Sequence, residues 1–202
     1  MTPEPGVELQ GAVLAGGAAS RFGGRPKGLE QVGGRRILDR VVEALAEATG
    51  RLPILVANAP EAADWRPGLR VVADRWPDAG TLGGLYTAVL EAPAPVLAVA
   101  WDMPFVPAGL LARLAAGLGQ ADAVLPASGG RRGMEPLAAA YGPACRPAME
   151  RALARGDYRA IAFHGDVRVG ILSADEVAAF GEPERLFFNV NTADDLIRAQ
   201  TD

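Results

Sequence analysis

Residues 8–28 read ELQGAVLAGGAASRFGGRPKG, an apolar stretch that runs directly into a glycine-rich loop. The apolar part, 8–15, predicts a short strand, and the glycines after it let backbone N–H groups turn toward an anion. Lys27, near the end of the loop, is the only lysine of the chain, since the other nineteen of its twenty cationic side chains are arginines. A flexible ammonium in such a loop suits phosphate oxygens. The segment therefore predicts a strand followed by a phosphate-binding loop.

Strand and helix patterns alternate along the rest of the chain. Apolar residues at helical spacing between Ile37 and Leu45 separate the first strand from a second at 52–57, which makes a βαβ unit. Further strands are predicted at 69–73, 95–100, 122–126, 137–141 and 167–172. Further helices are predicted after an N-cap at Thr81, at 107–118, 145–154 and 158–163, and after an N-cap at Thr192 paired with Asp195. We expect one α/β domain over residues 1–202, with three layers and a mostly parallel central sheet.

The composition narrows the classes of function. Half of the 202 residues are hydrophobic and the net charge is -4, which favours a globular protein with a substantial core and argues against a dedicated nucleic-acid or membrane-surface binder. The N-terminal MTPEP lacks the features of a secretory signal, and no apolar run approaches the ~18 residues of a membrane helix. The single cysteine, Cys145, excludes an internal disulfide, and no Cys/His cluster exists for zinc. We expect a soluble, cytoplasmic protein with no nucleic-acid or membrane partner.

Two common phosphate-binding motifs are absent from the loop. A Walker A motif needs Ser or Thr after its lysine, but Gly28 follows Lys27. A dinucleotide fingerprint needs Gly-x-Gly-x-x-Gly running into a helix, whereas Gly17 is followed by AASR, and Arg25 before a proline is biased away from helix. What remains is a long loop, extending to about Arg36, whose cations include Arg21 and Lys27. The residues alone leave a second interpretation open, in which the glycines make a tight turn and Lys27 is a solvated charge.

The loop resembles the signature of a known family. The segments Leu14–Gly17, Ser20–Gly24 and Pro26–Leu29 are similar to the signature loop of the NTP-transferase superfamily and, within it, to the molybdenum cofactor guanylyltransferase (MobA) family. The resemblance extends along nearly the whole chain. It implies a Rossmann-like nucleotidyltransferase fold in which the loop wraps GTP, with Leu14, Ala15, Gly16, Gly17 and Lys27 as GTP-binding residues. Related cytidylyltransferases tend to carry alanine at the position of Gly16, so this glycine favours guanine.

Asp102 is the best candidate for a metal ligand. It follows the apolar strand 96–100, at the carboxyl end where open α/β sheets bind ligands, and a carboxylate there suits Mg²⁺. The alternative is a loop-capping aspartate before a proline turn. The resemblance favours the metal, because WDMP at 101–104 is similar to the metal-binding turn of the family, and it implies that Asp102 also contacts GTP.

The resemblance implies further ligand contacts. Asp74, at the end of the strand 69–73, and Asn58 are GTP-binding residues by this comparison, although Asp74 is also explained by a surface pair with Arg75. NVNT at 189–192 is similar to a C-terminal family motif, which implies that Asn189 and Asn191 bind molybdopterin. With one residue between them, both side chains would face the same side of an extended segment.

The resemblance implies transfer of GMP from GTP to the terminal phosphate of Mo-molybdopterin, with release of pyrophosphate. Lys27, Arg21 and Asp102 are the predicted catalytic residues, with Lys27 on the phosphates, Asp102 on Mg²⁺ and Arg21 supporting the pyrophosphate. Transient contact with molybdenum-insertion or acceptor enzymes is also implied. Two alternatives stay open: a nucleotidyltransferase of the same loop type acting on CTP or on a sugar phosphate, and a non-catalytic GTP-binding module.

Overall fold

Strands and helices alternate in the computed structural model, which describes residues 8–16, 26–130 and 133–201. The strands are β1 (Gln10–Leu14), β2 (Gln31–Val32), β3 (Arg35–Arg36), β4 (Ile54–Val56), β5 (Val71–Val72), β6 (Val96–Ala100), β7 (Ala123–Pro126), β8 (Ala138–Tyr141) and β9 (Val169–Leu172). The helices are α1 (Ile37–Thr49), α2 (Ala62–Trp65), α3 (Gly80–Glu91), α4 (Ala108–Ala116), α5 (Cys145–Ala154), α6 (Ala174–Ala178), α7 (Pro183–Leu186) and α8 (Ala193–Thr201). Short 3₁₀ turns lie at Lys27–Leu29, Gly117–Gly119 and His164–Asp166.

Seven of these strands form one sheet in the order β5-β4-β1-β6-β8-β7-β9. Strand β8 runs antiparallel to both of its neighbours, and the other strand pairs are parallel. In register, Leu14 at the end of β1 pairs with Val56 of β4 and with Ala100 of β6. The loops after three adjacent strands therefore leave the same edge of the sheet, which is where ligands bind in such folds.

The sheet is buried on both faces, which confirms the predicted three layers. Helices α1 and α4 contact each other on one face and α3 and α5 contact each other on the other. Alternate side chains of β1 point to opposite faces of the sheet. Val13 packs in the core under α1 and α4, whereas Ala12 and Leu14 pack in the core under α3 and α5. This two-sided burial explains why the strands are almost wholly apolar.

The predicted N-cap at Thr81 is wrong. Helix α3 begins at Gly80, and Ala79 is its N-cap residue. The backbone turns earlier than the composition indicates, because Asp78 and Gly80 both have positive φ angles, 60° and 54°. The amide of Gly83 then donates to the carbonyl of Ala79 at 3.1 Å, so the first helical turn already includes Thr81.

The predicted helix at 158–163 is also wrong, because this segment consists of bends and turns. Polar side chains hold it by bonds that compete with a helical ladder. Arg159 donates through Nε and Nη2 to the carboxylate of Asp157, at 2.8 and 2.6 Å, and Arg155 Nη2 donates to the carbonyl of Ala162 at 2.8 Å. Backbone bonds from Ala162 N to Arg159 and from His164 N to Ile161 close turns in place of a helix.

The loop after β1 is more ordered at its end than the glycines indicate. Strands β2 and β3 form a small antiparallel hairpin at 31–36, inside the range predicted as loop. Gly33 and Gly34, at the tip, have φ angles of 57° and 75°, as a two-residue hairpin turn requires. No helix within the described ranges is long and apolar enough to cross a membrane.

Candidate active site

A cavity of about 400 Å³ opens at the carboxyl edge of the sheet. It is lined by residues that follow β1, β4, β5 and β6, together with the first turn of α3. Its walls include seven predicted site residues, namely Leu14, Ala15, Gly16, Lys27, Asn58, Asp74 and Asp102. The fold thus brings together residues that lie up to 88 positions apart, from Leu14 to Asp102. Gly17 and Arg21, the other predicted residues of the loop, lie outside the described residues.

Lys27 and Asp102 form an ion pair at the wall of this cavity. Lys27 Nζ donates to Asp102 Oδ2 and also to Asn191 Oδ1, the latter at 2.9 Å. The side chains of Lys27 and Asp102 are only 21% and 10% exposed. Burial of a single charge costs free energy unless an opposite charge pairs with it, and here the two side chains pair with each other. The arrangement contradicts the interpretation of Lys27 as a solvated charge.

The backbone after β6 places Asp102 at this position. Trp101 N donates to the carbonyl of Leu14 at 3.2 Å, which ties the turn after β6 to the end of β1. On the other side, Val190 N donates to the carbonyl of Asp102 at 2.9 Å. The metal-ligand candidate is therefore held between the central strand and the C-terminal segment.

Gly28 lets Lys27 approach this turn. A Cβ atom at Gly28 would collide with the six-membered ring of Trp101. Trp101 in turn stacks on Trp65, with ring centroids 5.0 Å apart, so the ring has a packed neighbour behind it. The contact between Gly28 and Trp101 was not predicted from the sequence. The only local signal for this contact is the glycine directly after the single lysine.

Asn58 and Asp74 form a second polar pair in the cavity. Asn58 Nδ2 donates to Asp74 Oδ2 at 2.8 Å, and Asp74 N donates to Asn58 Oδ1 at 2.7 Å. The in-register pairing of Val56 with Val72 brings the two residues side by side. Asp74 therefore bonds to Asn58 rather than to the adjacent Arg75. Arg75 instead pairs with Glu91, and its guanidinium together with that of Arg70 outweighs partial burial and lowers the pKa of that carboxyl.

The two C-terminal asparagines make different contacts. Asn191 accepts from Lys27, as described above, whereas Asn189 Nδ2 donates to the carbonyl of Phe187 at 3.0 Å. Asn191 thus enters the same cluster as Lys27 and Asp102. Its contact with the glycine-rich loop was not predicted from the sequence, because 164 positions separate the two residues.

The donor set around Asp102 fits a magnesium ion that is completed by its substrate. Among the described residues, no group of three or more His, Cys, Asp or Glu side chains could hold a metal ion. Mg²⁺ commonly uses one or two carboxylates, with waters and substrate phosphates filling the remaining positions. Asp102, at a cavity wall beside a phosphate-binding loop, matches that mode and does not match an all-protein metal cage.

A second, wider cavity of about 1120 Å³ adjoins the first. The two share Gly80, Thr81 and Leu137 in their walls, so the first turn of α3 lies between them. Glu135 lines the second cavity and accepts a bond from Leu137 N at 2.9 Å. The site therefore has room for two ligands side by side.

Comparison with known proteins identifies the family. The model of the MobA-like NTP transferase domain matches residues 11–168, more than three quarters of the chain. The chain belongs to the MobA-like NTP transferase family. A probable molybdenum cofactor guanylyltransferase from Pelotomaculum thermopropionicum is 33% identical over 195 residues, covering 96% of this chain and 93% of that protein. A molybdenum cofactor guanylyltransferase from Rhodopseudomonas palustris is 36% identical over 201 residues, covering 93% and 89%.

The solved structures agree with this MobA-like assignment. Molybdopterin-guanine dinucleotide biosynthesis protein A from Archaeoglobus fulgidus matches the fold with a TM-score of 0.79 at 26% identity, covering 95% of this chain and 96% of that one. The predicted family, the fold and the class of enzyme are thereby confirmed, and this MobA-like chain is a nucleotidyltransferase.

Proposed function

We propose that this nucleotidyltransferase transfers GMP from GTP to the terminal phosphate of Mo-molybdopterin, which yields molybdopterin guanine dinucleotide and pyrophosphate. The observation that carries the proposal is the buried contact of Lys27 with Asp102 at the wall of the cavity that the loop after β1 lines. The names of the bacterial relatives support guanine as the base and the molybdenum cofactor as the acceptor.

The chemistry needs no nucleophile from the protein. An oxygen of the acceptor phosphate attacks the α-phosphorus of GTP and forms a new P–O bond. The bond between the α-phosphorus and the bridging oxygen to the β-phosphate breaks, and its electrons leave with pyrophosphate. Because the acceptor phosphate is already anionic, the protein contributes alignment and charge neutralisation. Lys27 neutralises the phosphates of GTP, and Arg21 supports the departing pyrophosphate.

The nucleotide lies across the carboxyl edge of the sheet in this proposal. The backbone at Leu14, Ala15, Gly16 and Gly17 faces the phosphates and base, and the bonded pair of Asn58 and Asp74 binds the nucleoside. The glycine at position 16 favours guanine over cytosine. Each of these residues that the structure describes lines the same cavity, which supports a shared ligand.

We assign Asp102 to a Mg²⁺ ion that enters with the nucleotide. A bound ion would supply positive charge against the charge that develops on the phosphates, and Asp102 would hold it. Asp102 contributes a carboxylate oxygen, and the bond from Val190 N to its carbonyl holds the residue in place.

The acceptor is assigned to the C-terminal side of the site. Asn189 and Asn191 are the proposed molybdopterin-binding residues, and the bond from Lys27 to Asn191 supports a position of this segment beside the first cavity. Transient contact with molybdenum-insertion or acceptor enzymes would follow from delivery of the product. We also propose a cytoplasmic location, which the single, free cysteine supports.

The test is release of pyrophosphate by the purified protein with Mg²⁺ and Mo-molybdopterin. We expect release with GTP and little with CTP, and none with GTP when the acceptor is left out. Release only with a sugar phosphate would instead support a different transferase, and a preference for CTP would support cytidylyl transfer. Tight GTP binding without turnover on either acceptor would indicate a GTP-binding module.

A further inference from the structure

Among the described residues, Asn191 has the only neutral side chain that accepts a hydrogen bond from the Lys27 ammonium. Its Oδ1 atom accepts from Lys27 Nζ at 2.9 Å, next to the charged contact with Asp102. These two bonds use two of the three N–H groups of the ammonium. No described residue accepts from the third N–H group, which is therefore available to a ligand in the cavity that Lys27 lines.

The backbone of Asn191 is fixed by the start of α8. Asp195 Oδ2 accepts from Asn191 N at 3.1 Å and from Thr192 N at 2.9 Å, while Asp195 N donates to Thr192 Oγ1 at 3.1 Å. These reciprocal bonds form a capping box. One residue earlier, Val190 N donates to the carbonyl of Asp102. Asn191 is therefore anchored on both sides, which gives its side chain a defined position against the loop.

We propose that Asn191 is a positioning residue that aims the Lys27 ammonium at the nucleotide phosphates, in addition to any contact with the acceptor. The proposal rests on the proposed function, because it assigns a phosphate ligand to Lys27. An Asp102 carboxylate that also holds Mg²⁺ would attract the Lys27 ammonium less strongly. The amide oxygen of Asn191 is a second acceptor for the Lys27 ammonium, so it keeps Lys27 in place when Asp102 is shared.

The first experiment measures binding of Mg²⁺–GTP by calorimetry with no acceptor present. Asn191→Leu keeps the approximate size of the side chain but removes its acceptor, and we expect about 10- to 100-fold weaker binding, as for loss of a hydrogen bond to a charged group. Lys27→Met should weaken binding at least as much. The double variant should bind no more weakly than Lys27→Met, because Asn191 acts through Lys27.

The matched control is Thr192→Val, which removes the bond from Asp195 N to the Thr192 hydroxyl but leaves the bond from Asn191 N to the Asp195 carboxylate in place. It should bind Mg²⁺–GTP within about twofold of wild type, even where its melting temperature falls. If Asn191 contacted only the acceptor, Asn191→Leu would bind GTP like wild type. Wild-type binding by Asn191→Leu, or additive losses in the double variant, would overturn the proposal.

The second experiment reads Lys27 directly and does not depend on GTP. Because the chain has one lysine, protein labelled with ¹⁵N-lysine gives one side-chain ammonium signal in NMR. We expect the signal of the ligand-free protein to shift and broaden in Asn191→Leu and to keep its position in Thr192→Val. An unchanged signal in Asn191→Leu would overturn the proposal. If wild-type protein binds no GTP, the proposed function fails, while this signal still decides whether Asn191 positions Lys27.

Discussion

At the scale of single residues, the site depends on which charges are buried together. Lys27 is distinctive in the sequence because it is the only ammonium in an arginine-rich chain, and its position after a glycine-rich loop predicts a phosphate contact. The partners of Lys27 were only partly predicted from the sequence. Asp102 was predicted to lie at the same edge of the sheet, and its ion pair with Lys27 confirms this position. The hydrogen bond from Lys27 to Asn191 has no signature in the local sequence.

Removal of the Lys27 ammonium should affect turnover more than folding. Lys27→Ala leaves the developing phosphate charge without its ammonium, so we expect about 10²–10³-fold slower pyrophosphate release, as for other preorganised charge stabilisers. Arg51→Ala is the control. Arg51 is an exposed cation just before β4, at the edge of the sheet opposite the site, and it pairs with Glu8. A Lys27→Ala enzyme with the wild-type rate would remove Lys27 from the mechanism.

A substitution at Gly28 tests whether the packing of this residue on Trp101 affects stability and GTP binding. A methyl group at this position collides with the ring of Trp101, which is itself stacked on Trp65. We expect Gly28→Ala to lower the free energy of unfolding by about 1–3 kcal/mol, as overpacking does, and to weaken GTP binding by moving Lys27. Urea unfolding and calorimetry measure the two effects.

The control for Gly28→Ala is Gly119→Ala. Gly119 also lies in a 3₁₀ turn, but a Cβ atom there meets nothing within 4 Å. Its free energy of unfolding should stay close to that of wild type. If Gly28→Ala were as stable as Gly119→Ala and bound GTP equally well, the close approach of Gly28 to Trp101 would have no functional weight.

At the scale of elements, the strands were predicted well because each is a short apolar run that two layers of helices bury. Some helix starts were predicted correctly and others were not. The start of α8 follows from Thr192 and Asp195, whose side chains act within four residues, and the capping box confirms it. The start of α3 depends on the positive φ angles of Asp78 and Gly80, which composition does not reveal.

The cap of α8 makes a prediction about stability and pH. Burial tends to raise the pKa of Asp195, but bonds from the Thr192 side chain and from the amides of Asn191 and Thr192 outweigh it, and the pKa is lowered. The charged carboxylate therefore stabilises the fold above the pKa of an unfolded aspartate, about 4. We expect Asp195→Ala to cost about 1 kcal/mol at pH 7. The gap to wild type should shrink as the pH falls below about 4.

Thermal unfolding as a function of pH measures this gap. Asp194→Ala is the matched control, because it removes a charge from the same first turn of α8 and leaves the cap bonds intact. It should cost clearly less than Asp195→Ala. Equal losses in the two variants would show that the stabilisation comes from the charge near the helix N-terminus and not from the cap.

At the scale of the whole molecule, the sheet unites the site and the core. The loops after β1, β4, β5 and β6 meet at one edge because these strands are parallel and in register. Away from that edge, α5 covers the sheet and buries Cys145. Burial raises the pKa of the Cys145 thiol to about 12, and the nearby charge of Asp122 adds to the effect. The thiol donates to the carbonyl of Asp122 at 3.1 Å.

Cys145 should therefore report on unfolding of this core. At pH 8 the native thiol stays protonated and inaccessible, so we expect iodoacetamide to label it far more slowly than in urea, as mass spectrometry would measure. The raised pKa also means that the stabilising effect of the neutral thiol is present below the ordinary thiol pKa, about 8.5, and is lost as the pH rises toward 12. Equally fast labelling of native and unfolded protein would contradict the burial of this helix.

The sequence alone determined most of the order of the elements and singled out the glycine-rich loop, Lys27 and the aspartate after β6. These features depend on local patterns, since strand burial, loop glycines and the end of a strand are encoded within a few residues. Only the tertiary structure decided that Asn191 shares the Lys27 ammonium, that Gly28 packs on Trp101 and that residues 158–163 form turns instead of a helix. The first two contacts depend on packing between segments that are far apart in the sequence, and the turns at 158–163 depend on local bonds that the residue pattern does not reveal.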